Sequence, residues 1–259
     1  MKIKHYVITR FLSSLNLGLG ERIFDEEIIQ DGLSYVRSYF VPSMNNQSVK
    51  DFTVIFMVND RHDTENSRIR ELYDMPLDMP FKVLKVGEYF DYILKDSEGA
   101  DKVILTRMDY DDLVNRDAAK EVRGLAERCD CDIFSYGYNT GMILHDGTLY
   151  TFTKPGYWKH GYFSIFESVC ISRKALTPEM NIYSFTHTAL KKEVEKYAEK
   201  YGLTTTAIAE KEGIENFVWV RHRNTGTELL TNTIVSGRKL DEKVEMDPSE
   251  FITLFGREQ

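Results

Sequence analysis

Two rhythms of apolar and polar positions run along the chain. The short stretches Tyr6–Arg10, Phe52–Val58, Phe81–Leu84 and Lys102–Arg107 each hold an apolar run with β-branched residues, Val103–Leu105 in the last. That is the pattern of strands buried on both faces. Between them Leu33, Val36, Phe40 and Met44 recur at helical spacing, which predicts a helix from about Ser34 disturbed at Pro42. Residues 12–32 read as a loop with a short helix. Further helices are expected over Ser67–Tyr73, over Tyr89–Lys95, and from an Asn115 cap through Val122 and Leu125. Strand, helix, strand in this order is a βαβ unit with a parallel sheet.

The rhythm changes near Asp132. Asp132–Tyr136, Met142–Leu144 and Thr148–Phe152 read as an antiparallel meander closing on the Asp146-Gly147 turn. Phe163–Val169 reads as a strand or short helix, and Phe217–His222 as a strand. Leu190, Val194, Tyr197 and Tyr201 mark one face of a helix that Gly202 ends. No linker separates the halves, so residues 1–236 read as one domain and 237–259 as a charged tail with a short helix after Asp247-Pro248.

The strand Lys102–Arg107 opens onto three carboxylates, Asp109, Asp111 and Asp112. Ligands of open α/β sheets sit beyond the carboxyl ends of the strands, and clustered carboxylates there suit a hard divalent cation. The plain alternative is an exposed acidic turn. An EF-hand loop counted from Asp109 would need Gly at Val114 and Glu at Lys120, and so fails. An Asp-nucleophile phosphatase also places Asp-x-Asp after a strand, but Leu113 stands where that motif has Thr or Val. The Asp-x-Asp of nucleotide-sugar glycosyltransferases expects a nucleotide-binding α/β stretch beforehand, which is what precedes Asp109.

Composition narrows the field. The 259 residues are 42% hydrophobic and 29% charged, with a formal charge of −8, which argues against general nucleic-acid binding. No stretch is long enough to span a bilayer. Of three cysteines, Cys129 and Cys131 lie too close for an easy disulfide, so reduced thiols and a cytoplasmic location, at most peripheral to a membrane, are expected.

Taken in order, His5-Tyr-Val-Ile-Thr-Arg-Phe11, Pro42-Ser-Met-Asn-Asn-Gln47 with Asp51-Phe-Thr, Thr106–Asp112, Phe163-Ser-Ile-Phe-Glu167 and Trp219-Val-Arg-His-Arg-Asn224 resemble the putative rhamnosyltransferase family. The resemblance covers His5 to about Asn232. It implies a GT-A-like fold, with a nucleotide-binding βαβ sheet and an antiparallel β portion in the C-terminal half. It implies transfer of a sugar, rhamnose being the named one, from a nucleoside diphosphate sugar to a carbohydrate or lipid-linked acceptor, with inversion and with Mn²⁺ or Mg²⁺. By the resemblance Asp111 and His222 would hold the metal, and Thr9, Arg10, Asp60, Arg107, Asp109, Asp112 and Arg221 would line the donor pocket. Glu167 would be the general base. The chain departs from the family pattern at Arg221 and Arg223, which flank His222, and at Tyr110 inside the Asp-x-Asp. The rival readings are the phosphatase and a non-catalytic nucleotide-sugar-binding module.

Overall fold

The computed structural model describes residues 1–13, 19–65, 68–138, 140–145, 147–153, 165–183, 190–206, 213–220 and 243–257. Strands β1 (Ile3–Arg10), β2 (Thr53–Val58), β3 (Phe81–Lys85), β4 (Lys102–Arg107), β6 (Ile133–Tyr136) and β9 (Glu167–Ser172) form one sheet. Its order is β3-β2-β1-β4-β9-β6. The first four strands are parallel, and β9 runs antiparallel between β4 and β6. A second sheet has the order β5-β10-β7-β8, built from β5 (Leu113–Val114), β7 (Thr140–His145), β8 (Thr148–Thr153) and β10 (Phe217–Val220). The expected α/β class, with a parallel βαβ sheet and antiparallel β in the C-terminal half, is what the chain adopts.

Successive residues of the central strands point to opposite faces, and both faces are covered. Val7, Val54, Phe56 and Ile104 pack with α1 (Glu26–Tyr35), α2 (Val41–Asn45) and α4 (Ala118–Arg128). Tyr6, Ile8, Ile55, Val103 and Leu105 pack on the other side with α3 (Tyr89–Asp96) and α5 (Leu190–Tyr201). The small sheet buries Leu113, Met142, Leu149, Val218 and Val220 beneath Phe251 and Phe255 of α6 (Pro248–Phe255). The short helix expected after Asp247-Pro248 is therefore a roof on the small sheet. The Asp247 side chain caps it by accepting from the Ser249 N–H at 2.8 Å.

Several elements differ from the sequence reading. The first long helix starts at Glu26, not near Ser34, and brings Ile28, Ile29 and Leu33 into the core. Pro42 does not break it. A π-helical turn over Val36–Phe40 precedes the proline, and a residue without an N–H is accommodated at the first turn of α2. The β7–β8 hairpin closes as expected, but β6 leaves that meander and pairs with β9 in the large sheet. The helix after the acidic stretch has Asp117, not Asn115, at its N-cap position, and the Asp117 side chain makes no capping hydrogen bond. Asn115 instead accepts the Asp117 N–H at 3.0 Å. Cys129 and Cys131 are joined across Asp130, not left as thiols. The chain leaves α4 extended at Cys129, which puts residues i and i+2 on one side. Cys170 is free, and burial pushes its thiol up to about 12.

Candidate active site

The strand order creates the site. From β1 the chain adds β2 and β3 on one side, then crosses to place β4 on the other side of β1. A reversal of this kind is where open α/β sheets place their ligand crevice, here at the carboxyl ends of β1 and β4. β1 ends at Arg10 and β4 at Arg107.

The two arginines share one sheet face. Ile8 is in register with Arg107, and Arg10 lies two residues on. The Arg10 guanidinium is 3.6 Å from the Asp109 carboxylate, with side chains 19% and 28% exposed. Arg107 is 2% exposed and stands opposite Glu167 in the antiparallel β4–β9 pair. Directly opposed residues bring their side chains together on one face, so Glu167, 1% exposed, is held beside Arg107. The Thr9 side chain points to the other face, is fully buried, and its Oγ1 finds no partner among the described residues.

Met108–Asp112 forms a strap from the large sheet to the small one. Its side chains divide by alternation. Tyr110 turns inward, its ring 5.3 Å from that of Phe11. The close approach of α1 depends on Gly32, where a Cβ would lie 2.9 Å from the Phe11 ring. Burial, reinforced by the charges of Asp111 and Asp109, drives the Tyr110 phenol well above its ordinary range. Asp109 and Asp111 remain part-exposed on either side of it. Asp112 is 1% exposed and accepts the Val220 N–H at 3.1 Å, tying the strap to the end of β10.

The far end of the strap is clamped by the Pro42–Gln47 segment. Ser43 Oγ accepts the Val114 N–H at 3.0 Å. Gln47 accepts the Ala119 N–H at 3.1 Å and donates to the Asn115 carbonyl at 3.0 Å. This segment is polar because it satisfies backbone groups of β5 and the start of α4. On the β2 side Asp60 is exposed and accepts the Gly87 N–H at 2.9 Å, while Asn59 donates to the Ser13 carbonyl at 3.0 Å.

The crevice thus gathers Arg10, Arg107, Asp109, Asp111 and Glu167. Asp60 sits on the neighbouring strand end, and Asp112 serves the strap. Arg221 and His222, like the aromatic segment Gly156-Tyr-Trp158, lie outside the described residues. Among the described residues no group of three or more His, Cys, Asp or Glu is poised to hold a metal. Two part-exposed carboxylates flanking Tyr110 do suit a cation such as Mg²⁺, which takes one or two carboxylates and completes its shell with phosphate oxygens and water.

Sequence reading missed one participant, Tyr183. Both guanidiniums lie against its ring, Arg10 at 4.9 Å and Arg107 at 4.7 Å from the centroid. Its hydroxyl donates to the Ile8 carbonyl at 2.6 Å. Burial raises the phenol well above its ordinary value, the Asp109 charge raising it further and the two arginines opposing. Two non-glycine residues with left-handed backbone flank the site, Leu12 (φ 48°) after β1 and Phe166 (φ 58°) before Glu167. Such outliers concentrate at functional sites.

A family model described as putative rhamnosyl transferase matches residues 20–202. No curated protein matches the chain. Among solved structures, a putative nucleotide-diphospho-sugar transferase from Desulfovibrio desulfuricans G20 is similar at 9% identity and TM-score 0.44, over 90% of this chain and 88% of that one. S. aureus TarS 1-349 in complex with UDP-GlcNAc is similar at 12% identity and TM-score 0.42, over 88% of this chain and 61% of that one. The inositol-1-phosphate CTP transferase from T. maritima has 13% identity and TM-score 0.42, with 92% and 98% covered. No helix among the described residues is long and apolar enough to cross a membrane.

Proposed function

The chain belongs to the putative rhamnosyl transferase family, and from that membership we propose that it transfers a sugar, rhamnose first among candidates, from a nucleoside diphosphate donor to a hydroxyl of a carbohydrate or lipid-linked acceptor. The observation that carries this reading is the switch point between β1 and β4, with two arginines and an Asp-Tyr-Asp strap at one crevice.

The chemistry asks two things of the protein. The departing diphosphate gains negative charge, and Arg10 and Arg107 are placed to answer it with planar donors. The acceptor hydroxyl must lose a proton as it attacks, and Glu167, next to the crevice through its pairing with Arg107, is the carboxylate proposed to take it. One such carboxylate on the acceptor side gives inversion at the transferred carbon. Asp111 and His222 would hold Mn²⁺ or Mg²⁺, with Asp109 on the donor side, and the bound ion would supply Lewis-acid stabilisation of the diphosphate. Asp60 would line the nucleotide side and Arg221 would complete the phosphate end, whereas Thr9, buried on the opposite face, supports the end of β1 from beneath. The products suit cytoplasmic polysaccharide assembly.

The test is a thermal-shift panel of nucleoside diphosphates, including UDP and dTDP, run with Mn²⁺, Mg²⁺ or EDTA. A ligand at a hundred times its Kd stabilises the native state by about 2.7 kcal/mol, well within reach of the assay. Wild type should respond to one base with metal, and Asp111→Ala should lose that response while keeping its unliganded Tm. A metal-dependent shift retained in Asp111→Ala would remove the assignment.

A further inference from the structure

The position of Tyr183 is over-determined in a way a surface tyrosine's is not. Its hydroxyl is bound to Ile8 of β1 at 2.6 Å. Its N–H donates to Asn181 Oδ1 at 3.0 Å, and the same oxygen accepts the Tyr89 hydroxyl at 2.5 Å. Leu176, Met180 and Ile182 are buried against the sheet face that carries both arginines. The ring is therefore a fixed surface, and two guanidiniums rest on it at 4.9 and 4.7 Å. Two like charges drawn to one ring repel each other, and an aromatic face is one of the few uncharged groups that attracts both.

Arg10 shows what the ring replaces. Its Nε is buried and finds no hydrogen-bond partner among the described residues. Its only ion pair among those residues is to Asp109 at 3.6 Å, longer than a charge-assisted hydrogen bond. Among the described residues the Arg10 head is thus oriented chiefly by the tyrosine face.

We propose that Tyr183 is a positioning residue that holds the Arg10 and Arg107 guanidiniums side by side at the β1–β4 crevice, so that together they form a seat for the donor's diphosphate. This rests on the reading of the crevice as a nucleoside diphosphate site. It adds that the seat depends on an aromatic face supplied from the segment before α5. The role belongs to the ring, not to the hydroxyl.

The test uses calorimetric titration of inorganic pyrophosphate into the full chain, with circular dichroism as the check on folding. Wild type is expected to bind. Tyr183→Phe, which keeps the ring, should bind within about threefold, and Tyr183→Leu, which removes the face, should bind about tenfold more weakly. Should Tyr183→Leu fail to fold, pentafluorophenylalanine at position 183 makes the same comparison, since it keeps the shape and reverses the charge of the face. Equal binding by Tyr183→Phe and by the face-less or face-reversed variant would overturn the inference and leave the diphosphate reading intact. A wild-type protein that does not bind pyrophosphate would overturn both.

Discussion

Replacing Thr106 by Val tests a line of polar groups that crosses three strands just below the crevice. His5 of β1 is fully enclosed, and its Nε2 is 2.8 Å from Thr106 Oγ1. Thr106 Oγ1 is 2.8 Å from Ser168 Oγ, and Ser168 Oγ is 3.3 Å from the Phe166 carbonyl. A carbonyl only accepts, so the direction of the whole line is fixed. Ser168 donates to Phe166, Thr106 to Ser168, and the His5 Nε2–H to Thr106. Burial, helped by the Arg123 charge, lowers the His5 pKa to about 3, which keeps the ring neutral as this arrangement requires. Thr106→Val preserves shape and deletes two hydrogen bonds, each contributing about 0.5–1.5 kcal/mol net. It also strands a buried imidazole N–H, which costs about 1–3 kcal/mol. Allowing for overlap between the two, a loss of about 2–4 kcal/mol is expected in urea unfolding at pH 7.5. Ser168→Ala cuts the same line, so the double variant should lose less than the sum of the singles. A loss below about 0.5 kcal/mol in Thr106→Val, or strict additivity, would refute the directional line.

The remaining predictions are briefer. His5 is neutral in the native state and free to take a proton when unfolded, so its contribution is intact above the ordinary histidine range and is lost as pH falls from about 6.5 towards 3. The slope of stability against pH in that window should flatten by up to about 1.4 kcal/mol per unit in His5→Asn once its own unfolding baseline is subtracted. Glu167→Gln should lower sugar transfer by about 10²-fold or more with donor binding little changed, and transfer at the wild-type rate would place the base elsewhere. In the small sheet a Cβ at Gly141 would sit 2.5 Å from the Phe217 ring. Gly141→Ala should therefore cost about 1–3 kcal/mol and be partly rescued by Phe217→Leu, and a neutral Gly141→Ala would mean that the ring moves freely.

What could be read from sequence was what local pattern determines. The central parallel strands were legible because burial on both faces demands apolar runs, and the acidic stretch because carboxylates gathered at a buried strand's end stand out from such a run. Non-local pairing was not. β5 is two residues long, too short for any periodicity, and its identity lies in its partners Phe217 and Val218. β6 looks like one arm of a meander until β9 returns to lie beside it. The start of α1 was masked by its acidic first turn, Glu26 and Glu27, which reads as loop although negative charge there favours the helix dipole. Tyr183 carried no signal at all, since its role depends on two arginines more than seventy residues away in sequence. The Pro42–Gln47 segment resembled a family motif, and its polar side chains turn out to clamp the backbone of β5 and α4.

The strap Met108–Asp112 has both ends fastened. Met108 donates its N–H to the Ile8 carbonyl at 3.1 Å, Asp112 holds Val220, and beyond it Arg116 donates to the Leu254 carbonyl of α6 at 2.9 Å. Ordering a free backbone residue costs about 1–2 kcal/mol. Five loose residues would impose that cost each time a ligand arrived, whereas a strap ordered during folding meets it once. Affinity at the crevice is thereby tied to the integrity of the small sheet. Loosening Phe251 or Phe255 in the distant α6 should slacken the strap and weaken ligand capture, although neither residue belongs to the crevice.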